Sequence, residues 1–304
     1  MPRFHNFLLI GLVFCLLAAC QPAAASSPTP LVVSEQSVST HIAELPTFTP
    51  SPAASATVQP SLTPTLDCAS QPVTVETAQI TTPLLAKPLQ VRVYLPACAT
   101  GGFVQKGKTY PLLILLHGQS SDLTQWDRLE LANQLNQLAA GMVVVTPYEE
   151  YSLADPYESN FGKALAVALV PWAENHYALC QKRACRALGG VSRGASWAVL
   201  QGLTDWQTFG LIGAHSLSTF YGFNLKIPRL FKEIPNGQAP LIYMDSGQRD
   251  RYINRAREFD QMLTGLKLPH TWILNSGEHD EVYWKTHLGE YLKWYSKNLL
   301  GGLD

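Results

Sequence analysis

The chain has 304 residues, and 22 Lys and Arg stand against 23 Asp and Glu for a formal net charge of −1. That balance offers no electrostatic footprint for nucleic acid or another polyanion, so nucleic-acid partners are set aside. An aromatic content of 10% with 7 Trp suits a packed core with room for a lined cleft, and the roughly 240 residues beyond the polar N-terminal part fit one large α/β domain better than two small ones.

Arg3 and His5 precede an apolar run, Phe7 to Ala19, interrupted only by Gly11. The run is short for a membrane span and reads as the apolar region of a signal peptide. It ends in Leu17-Ala18-Ala19-Cys20, which resembles a bacterial lipoprotein signal: small residues directly before a cysteine that is acylated. The resemblance implies a signal over residues 1–19 and a mature chain that starts at Cys20. Its membrane partner would be reached through a lipid anchor on Cys20, on the outer side of the cytoplasmic membrane. An ordinary secretory signal with an incidental Cys20 is the alternative. Residues 20–66 are rich in Pro, Ser, Thr and Ala with few charges, and such a segment buries too little apolar surface to offset its ordering entropy. It reads as a tether, with the folded domain over 67–304.

Beyond the signal lie Cys68, Cys98, Cys180 and Cys185. An even set in an exported chain predicts disulfides. The most local pairing, Cys68–Cys98 with Cys180–Cys185, is favoured among the three possible ones. The spacings do not match a zinc site.

Within the domain, β-branched or alternating stretches predict strands at Val73–Thr77 and Gln90–Leu95. Pro111–Leu116 is a continuous apolar run, as expected of a strand buried on both faces. An amphipathic helix is predicted over Trp126–Leu138, a buried strand over Met142–Thr146, and a helix over Ala164–Leu179. Ala187–Ser192 reads as a strand and Trp197–Leu203 as the helix after it. Further strands are predicted at Phe209–Ala214, Leu241–Asp245 and His270–Leu274, and a closing helix at Val282–Leu299. Strands alternating with helices imply a mostly parallel sheet covered on both faces.

Gly190, Ser192 and Gly194 spell G-x-S-x-G between the predicted strand and its helix. This is the context in which a tight strand-to-helix turn lifts a serine hydroxyl above the strand ends. Three further stretches belong with it. Leu115-Leu116-His117-Gly118 follows a buried strand. Asp245-Ser246-Gly247-Gln248-Arg249-Asp250 follows a late one. Gly277-Glu278-His279-Asp280 comes last, with Trp284 shortly after. The candidates run in the order Ser, Asp, His. Together these features resemble the α/β-hydrolase fold, in its esterase D-like branch, over roughly residues 70–300. That branch includes feruloyl esterases, enterochelin esterases, S-formylglutathione hydrolases and mycolyltransferases.

The resemblance implies an α/β fold with a mostly parallel central sheet, helices on both faces and a Ser192–His279–Asp250 triad. A serine hydroxyl is a weak nucleophile at neutral pH and needs a base within hydrogen-bond reach; His279 is the candidate. A third group must hold its tautomer. Asp250 matches the family's acid position, with Asp245 the competitor. Oxyanion donors are expected from the backbone N–H of Arg193 and of Gln119, although Gln119-Ser120-Ser121 carries less glycine than the family often shows there. His117 reads as a buttress of that loop. His215, at a strand's C-terminal end, is a candidate substrate-binding residue. Trp126, Tyr148, Tyr157 and Trp284 are candidates for an aromatic wall, though such residues more often pack the core. The Arg193 side chain has two readings, an anionic substrate or an ion pair with a neighbouring loop. The expected activity is carboxylic ester hydrolysis through an acyl-enzyme on a small-molecule ester, with no metal or organic cofactor. An acyltransferase of the same fold and a non-catalytic binding lipoprotein are the rival readings. The joint presence of Ser192, Asp250 and His279 speaks against the second.

Overall fold

The computed structural model describes residues 72–96, 99, 108–150 and 153–303. The signal and tether read at 1–66, Cys20, and the Cys68–Cys98 pairing lie outside the described residues. Among these residues no helix is long and apolar enough to cross a membrane.

In chain order the elements are β1 (Thr74–Ile80), β2 (Leu89–Leu95), β3 (Leu112–Leu116), α1 (Gln125–Arg128), α2 (Leu131–Gln137), β4 (Val143–Pro147), α3 (Phe161–Ala164) and α4 (Val170–His176). They continue with β5 (Arg186–Val191), α5 (Arg193–Thr204), β6 (Leu211–His215), α6 (Phe223–Glu233), β7 (Leu241–Gly247), α7 (Ile253–Gly265), β8 (His270–Asn275) and α8 (Glu281–Leu300). The strands form one sheet of eight in the order β1-β2-β4-β3-β5-β6-β7-β8. β1 and β2 pair antiparallel, β2 meets β4 antiparallel, and all pairs from β4 to β8 are parallel. This is the mixed, mostly parallel sheet of an α/β fold.

Alternate side chains of each inner strand feed two separate cores, since successive residues of a strand point to opposite faces. Leu112, Ile114 and Leu116 of β3 pack on one face with Trp197 and Val199 of α5, Ile227 of α6 and Phe259 of α7. Leu113 and Leu115 pack on the other with Trp126, Leu131 and Leu135 and with the stripe Leu288, Tyr291, Leu292, Tyr295 and Leu299 of α8. Each such side chain, fully buried, contributes about 1.5–3 kcal/mol.

Local structure departs from the sequence expectation at three places. The helix predicted over Trp126–Leu138 is two short ones, because Glu130 between α1 and α2 takes φ 62°, which no helix accommodates. The helix predicted over Ala164–Leu179 starts earlier, at Phe161, widens into a π turn at Leu165–Leu169 and resumes as α4, with Pro171 in its first turn. Finally, α6 and α7 lie where the sequence pattern predicts no element. α6 buries Phe223, Ile227 and Phe231 at four-residue spacing, but Pro228 lies inside it, and an interior proline argues against a helix in sequence.

Cys180 and Cys185 are disulfide-bonded across a separation of 5 residues, closing the loop that leads into β5. Cross-linking so short a loop stabilises by about 2 kcal/mol in the chain-entropy view. The double variant Cys180→Ser/Cys185→Ser is therefore expected to melt several degrees lower than the wild type by circular dichroism. An unchanged melting temperature would assign the bond no stabilising role.

Candidate active site

The central strand β5 ends against its neighbours in a register that lines up their C-terminal ends: Leu116 opposite Gly190, Val191 opposite His215, and His215 opposite Asp245. Ligands of open α/β sheets bind along this edge. Ser192 sits at the turn between β5 and α5 with φ 56° and ψ −117°, a conformation costly by about 1–3 kcal/mol for a residue with a Cβ. Its N–H donates to the His215 carbonyl at 2.9 Å. The two flanking glycines are needed for space. A Cβ on Gly190 would lie 2.6 Å from the Gly194 carbonyl carbon, and one on Gly194 would press into the Leu116 backbone.

Asp250 and His279 come from the turns after β7 and β8. These turns are tied together through the backbone, Gln248 N–H to the Asn275 carbonyl at 2.7 Å and Arg249 N–H to the Gly277 carbonyl at 2.9 Å. His279 Nδ1 is 2.9 Å from both Asp250 carboxylate oxygens, and Nε2 is 2.8 Å from Ser192 Oγ. Tyr252 and Trp284 pack edge-on against the imidazole, with ring centroids 4.8 and 5.3 Å away. Burial by itself would raise the Asp250 carboxyl. Hydrogen bonds from His279 and the Tyr252 backbone, with the attraction of the imidazole, outweigh it and hold the carboxyl below its ordinary value. Asp280 caps α8 by accepting from the Tyr283 N–H at 2.9 Å, and Glu278 pairs with Arg249 at the surface.

The loop after β3 passes over the serine. Its Gly118 N–H already donates to Gln125 Oε1 at 2.8 Å, which leaves the next amide, that of Gln119, as the donor on offer there. The Arg193 N–H is the first of α5, and a first helical amide has no acceptor within its own helix. His117 bridges two loops: Nδ1 donates to the Gly118 carbonyl at 2.8 Å and Nε2 accepts from the Glu149 N–H at 2.9 Å. Burial pushes its pKa down and keeps the ring neutral, as this pairing requires. The Arg193 guanidinium forms a two-pronged pair with Glu149, 2.8 and 2.6 Å, with both side chains buried. Of its two sequence readings, the ion pair with a neighbouring loop is the one realised.

One predicted site residue is misplaced. His215 does not line the cleft; it is wholly buried. Its Nδ1 lies 2.7 Å from Asp245 and its Nε2 3.0 Å from the Tyr295 hydroxyl, and its ring stacks on Tyr291 at 3.7 Å. The reason is that β6 is flanked on both sides and α8 lies across this end, so the side chain turns into the core. Asp245, the rival acid, is the centre of the same cluster, accepting also from the Tyr283 and Tyr291 hydroxyls at 2.6 and 2.8 Å. Burial and the Asp245 charge push both phenols upward, so they remain donors. Trp126 belongs to the core, whereas Trp284 lines the cavity that Ser192 and His279 share and Tyr157 an adjoining one. Sequence reasoning gave Gln125, Glu149 and Tyr252 no role. Only the position of Glu149, two residues past the end of a buried strand, hinted at one.

A family model described as "Putative esterase" matches residues 82–297. The chain belongs to this esterase family. It is an α/β-hydrolase of the esterase D-like kind and a carboxylic ester hydrolase. An acetyl esterase of Caldicellulosiruptor saccharolyticus is 22% identical over 225 aligned positions, covering 61% of this chain and 83% of that protein. Among solved structures, a ferulic acid esterase superposes with a TM-score of 0.65 at 22% identity, covering 74% of this chain and 98% of its own. The fluorophosphonate-binding serine hydrolase F of Staphylococcus aureus, in a substrate-bound form, gives a TM-score of 0.65 at 18% identity and covers 74% and 99%.

Asp245 holds three buried donors and lies outside the Ser192–His279–Asp250 line. Asp245→Asn is expected to cost about 1–3 kcal/mol of stability, read as a lower denaturation midpoint. The esterase kcat/KM of the folded enzyme should stay within about tenfold of wild type. A loss of several thousandfold without destabilisation would make Asp245 the acid.

Proposed function

We propose that this esterase works through an acyl-enzyme formed on Ser192, and that a lipid on Cys20 holds it outside the cytoplasmic membrane. The observation that carries the catalytic part is the unbroken line of hydrogen bonds from Asp250 through His279 to Ser192 Oγ at the floor of an open cavity of about 520 Å³. His279 Nε2 takes the Ser192 proton as Oγ attacks the ester carbonyl. Asp250 fixes the tautomer with Nδ1 protonated and stabilises the imidazolium that forms. The Gln119 and Arg193 amides receive the developing oxyanion, a contribution worth about 3–4 kcal/mol per donor in comparable sites. His279 then hands its proton to the leaving alcohol oxygen, and the C–O bond breaks to leave acyl-Ser192. Water, deprotonated by the same imidazole, attacks this ester, and the proton returns to Ser192 Oγ as the acid departs.

Ser192→Ala is expected to lower kcat for a p-nitrophenyl ester about a millionfold and to abolish labelling by a fluorophosphonate probe. Asp250→Asn should cost about 10⁴-fold. Mass spectrometry should locate the wild-type label on Ser192. A label elsewhere, or full turnover by Ser192→Ala, would refute the acyl-enzyme.

The anchor rests on the small residues before Cys20 and the tether-like composition after it. More than one acyl chain is what stable anchoring requires. Wild-type protein expressed in bacteria should enter the detergent phase of a Triton X-114 separation, and Cys20→Ala the aqueous phase. Equal partitioning would remove the anchor from the proposal.

A further inference from the structure

A second, larger cavity of about 680 Å³ opens beside the catalytic one, and the two share Gln119 and Ser218. The cavities differ in one respect that chemistry can use. His279 lines the first and not the second, while Arg193 lines the second. The imidazole must protonate the leaving oxygen, so the alcohol departs on the His279 side. The acyl part of the ester then points into the second cavity, past the oxyanion amides. This assignment rests on the acyl-enzyme reading given above.

The second cavity has an apolar body and a cationic wall. Tyr157 and Phe220 meet edge to face at 6.2 Å, and Tyr221 and Leu225 carry the apolar surface out to the mouth, where they are 100% and 71% exposed. Lys226 and Arg229, three residues apart on α6 and so on one face of it, line the same wall. Lys226 Nζ lies 3.5 Å from the centroid of the Tyr157 ring. Neither cation forms a salt bridge to a carboxylate within the described residues. Of the other charged groups in the cavity, Arg193 is neutralised by Glu149. Asp155 is the one acid, with its Oδ1 accepting from the Tyr157 N–H at 2.9 Å. Two unneutralised cations therefore face one carboxylate across an apolar floor.

We infer that this cavity selects esters whose acyl group has an apolar body and an anionic far end, with Lys226 and Arg229 as the specificity-determining residues. Monoesters of dicarboxylic acids have this chemistry. The apolar segment lies along Tyr157, Phe220 and Leu225, and the free carboxylate reaches the α6 cations at the mouth.

The test compares the mono-p-nitrophenyl ester of adipic acid with p-nitrophenyl hexanoate, which has the same leaving group and acyl length and no charge. The wild-type ratio of kcat/KM, adipate over hexanoate, is expected to exceed one and to fall toward one as salt is raised, because exposed charge pairs are screened. In Lys226→Gln/Arg229→Gln the ratio should drop about tenfold, in the range of two exposed charge contacts. In Lys226→Glu/Arg229→Glu it should fall below that of the Gln pair. A wild-type ratio at or below one, or a ratio that both double variants leave unchanged, would overturn the inference while leaving the esterase intact. Turnover of neither ester by wild-type enzyme, with no fluorophosphonate label on Ser192, would instead bring down the acyl-enzyme reading and this inference with it.

Discussion

Everything at the active edge follows from how close the turn after β5 comes to β3. Gly190 and Gly194 let the backbone of the turn press against Leu116 and against itself, and the chain rounds that corner with Ser192 at positive φ. The conformation is unfavourable for serine taken alone. It persists because the surroundings over-determine it: the Ser192 N–H is fixed to the end of β6, and α5 behind it is buried along nearly its whole length. The hydroxyl is thereby presented at a helix N-terminus with neither freedom to turn away nor space to collapse into.

The partners of that hydroxyl are held by a different device. Asp250 and His279 are 29 residues apart in the chain, yet the turns that carry them are joined by two backbone hydrogen bonds. Asp250 and His279 therefore move as one piece. Beneath them, Asp245 gathers His215, Tyr283 and Tyr291, which pins the start of α8 to β6 and β7. His279 lies just before that helix, so the fully buried polar cluster anchors the helix end nearest the imidazole. Such a cluster is stabilising only when every member is satisfied.

The parts of this site that were legible in the sequence were those with a local signature. A glycine on each side of Ser192, apolar runs for strands buried on both faces, and the chain order of Ser, Asp and His all survive as linear patterns. What was not legible depends on contacts between distant segments. His215 ends a strand just as a ligand-binding residue would, and nothing nearby in sequence announces that Tyr291 and Tyr295 of α8 will close over it. The break at Glu130 has no linear signal, because the apolar spacing of Leu129, Leu131 and Leu135 continues across it. α6 was hidden by Pro228, although the spacing of Phe223, Ile227 and Phe231 was present. Glu149 carries no motif at all; its importance comes from meeting Arg193, 44 residues later.

The Glu149–Arg193 pair has a consequence for how this enzyme can diverge. By pairing the guanidinium that follows Ser192 with a carboxylate, it leaves the inner wall of the Arg193-lined cavity close to neutral. The remaining charged side chains lining that cavity, Asp155, Lys226 and Arg229, are exposed, and the core needs none of them. Exposed residues can change with little effect on folding, so descendants of this chain can alter the charge of that cavity through a few outward-facing codons while the turn at Ser192, the paired turns and the tyrosine cluster stay as they are.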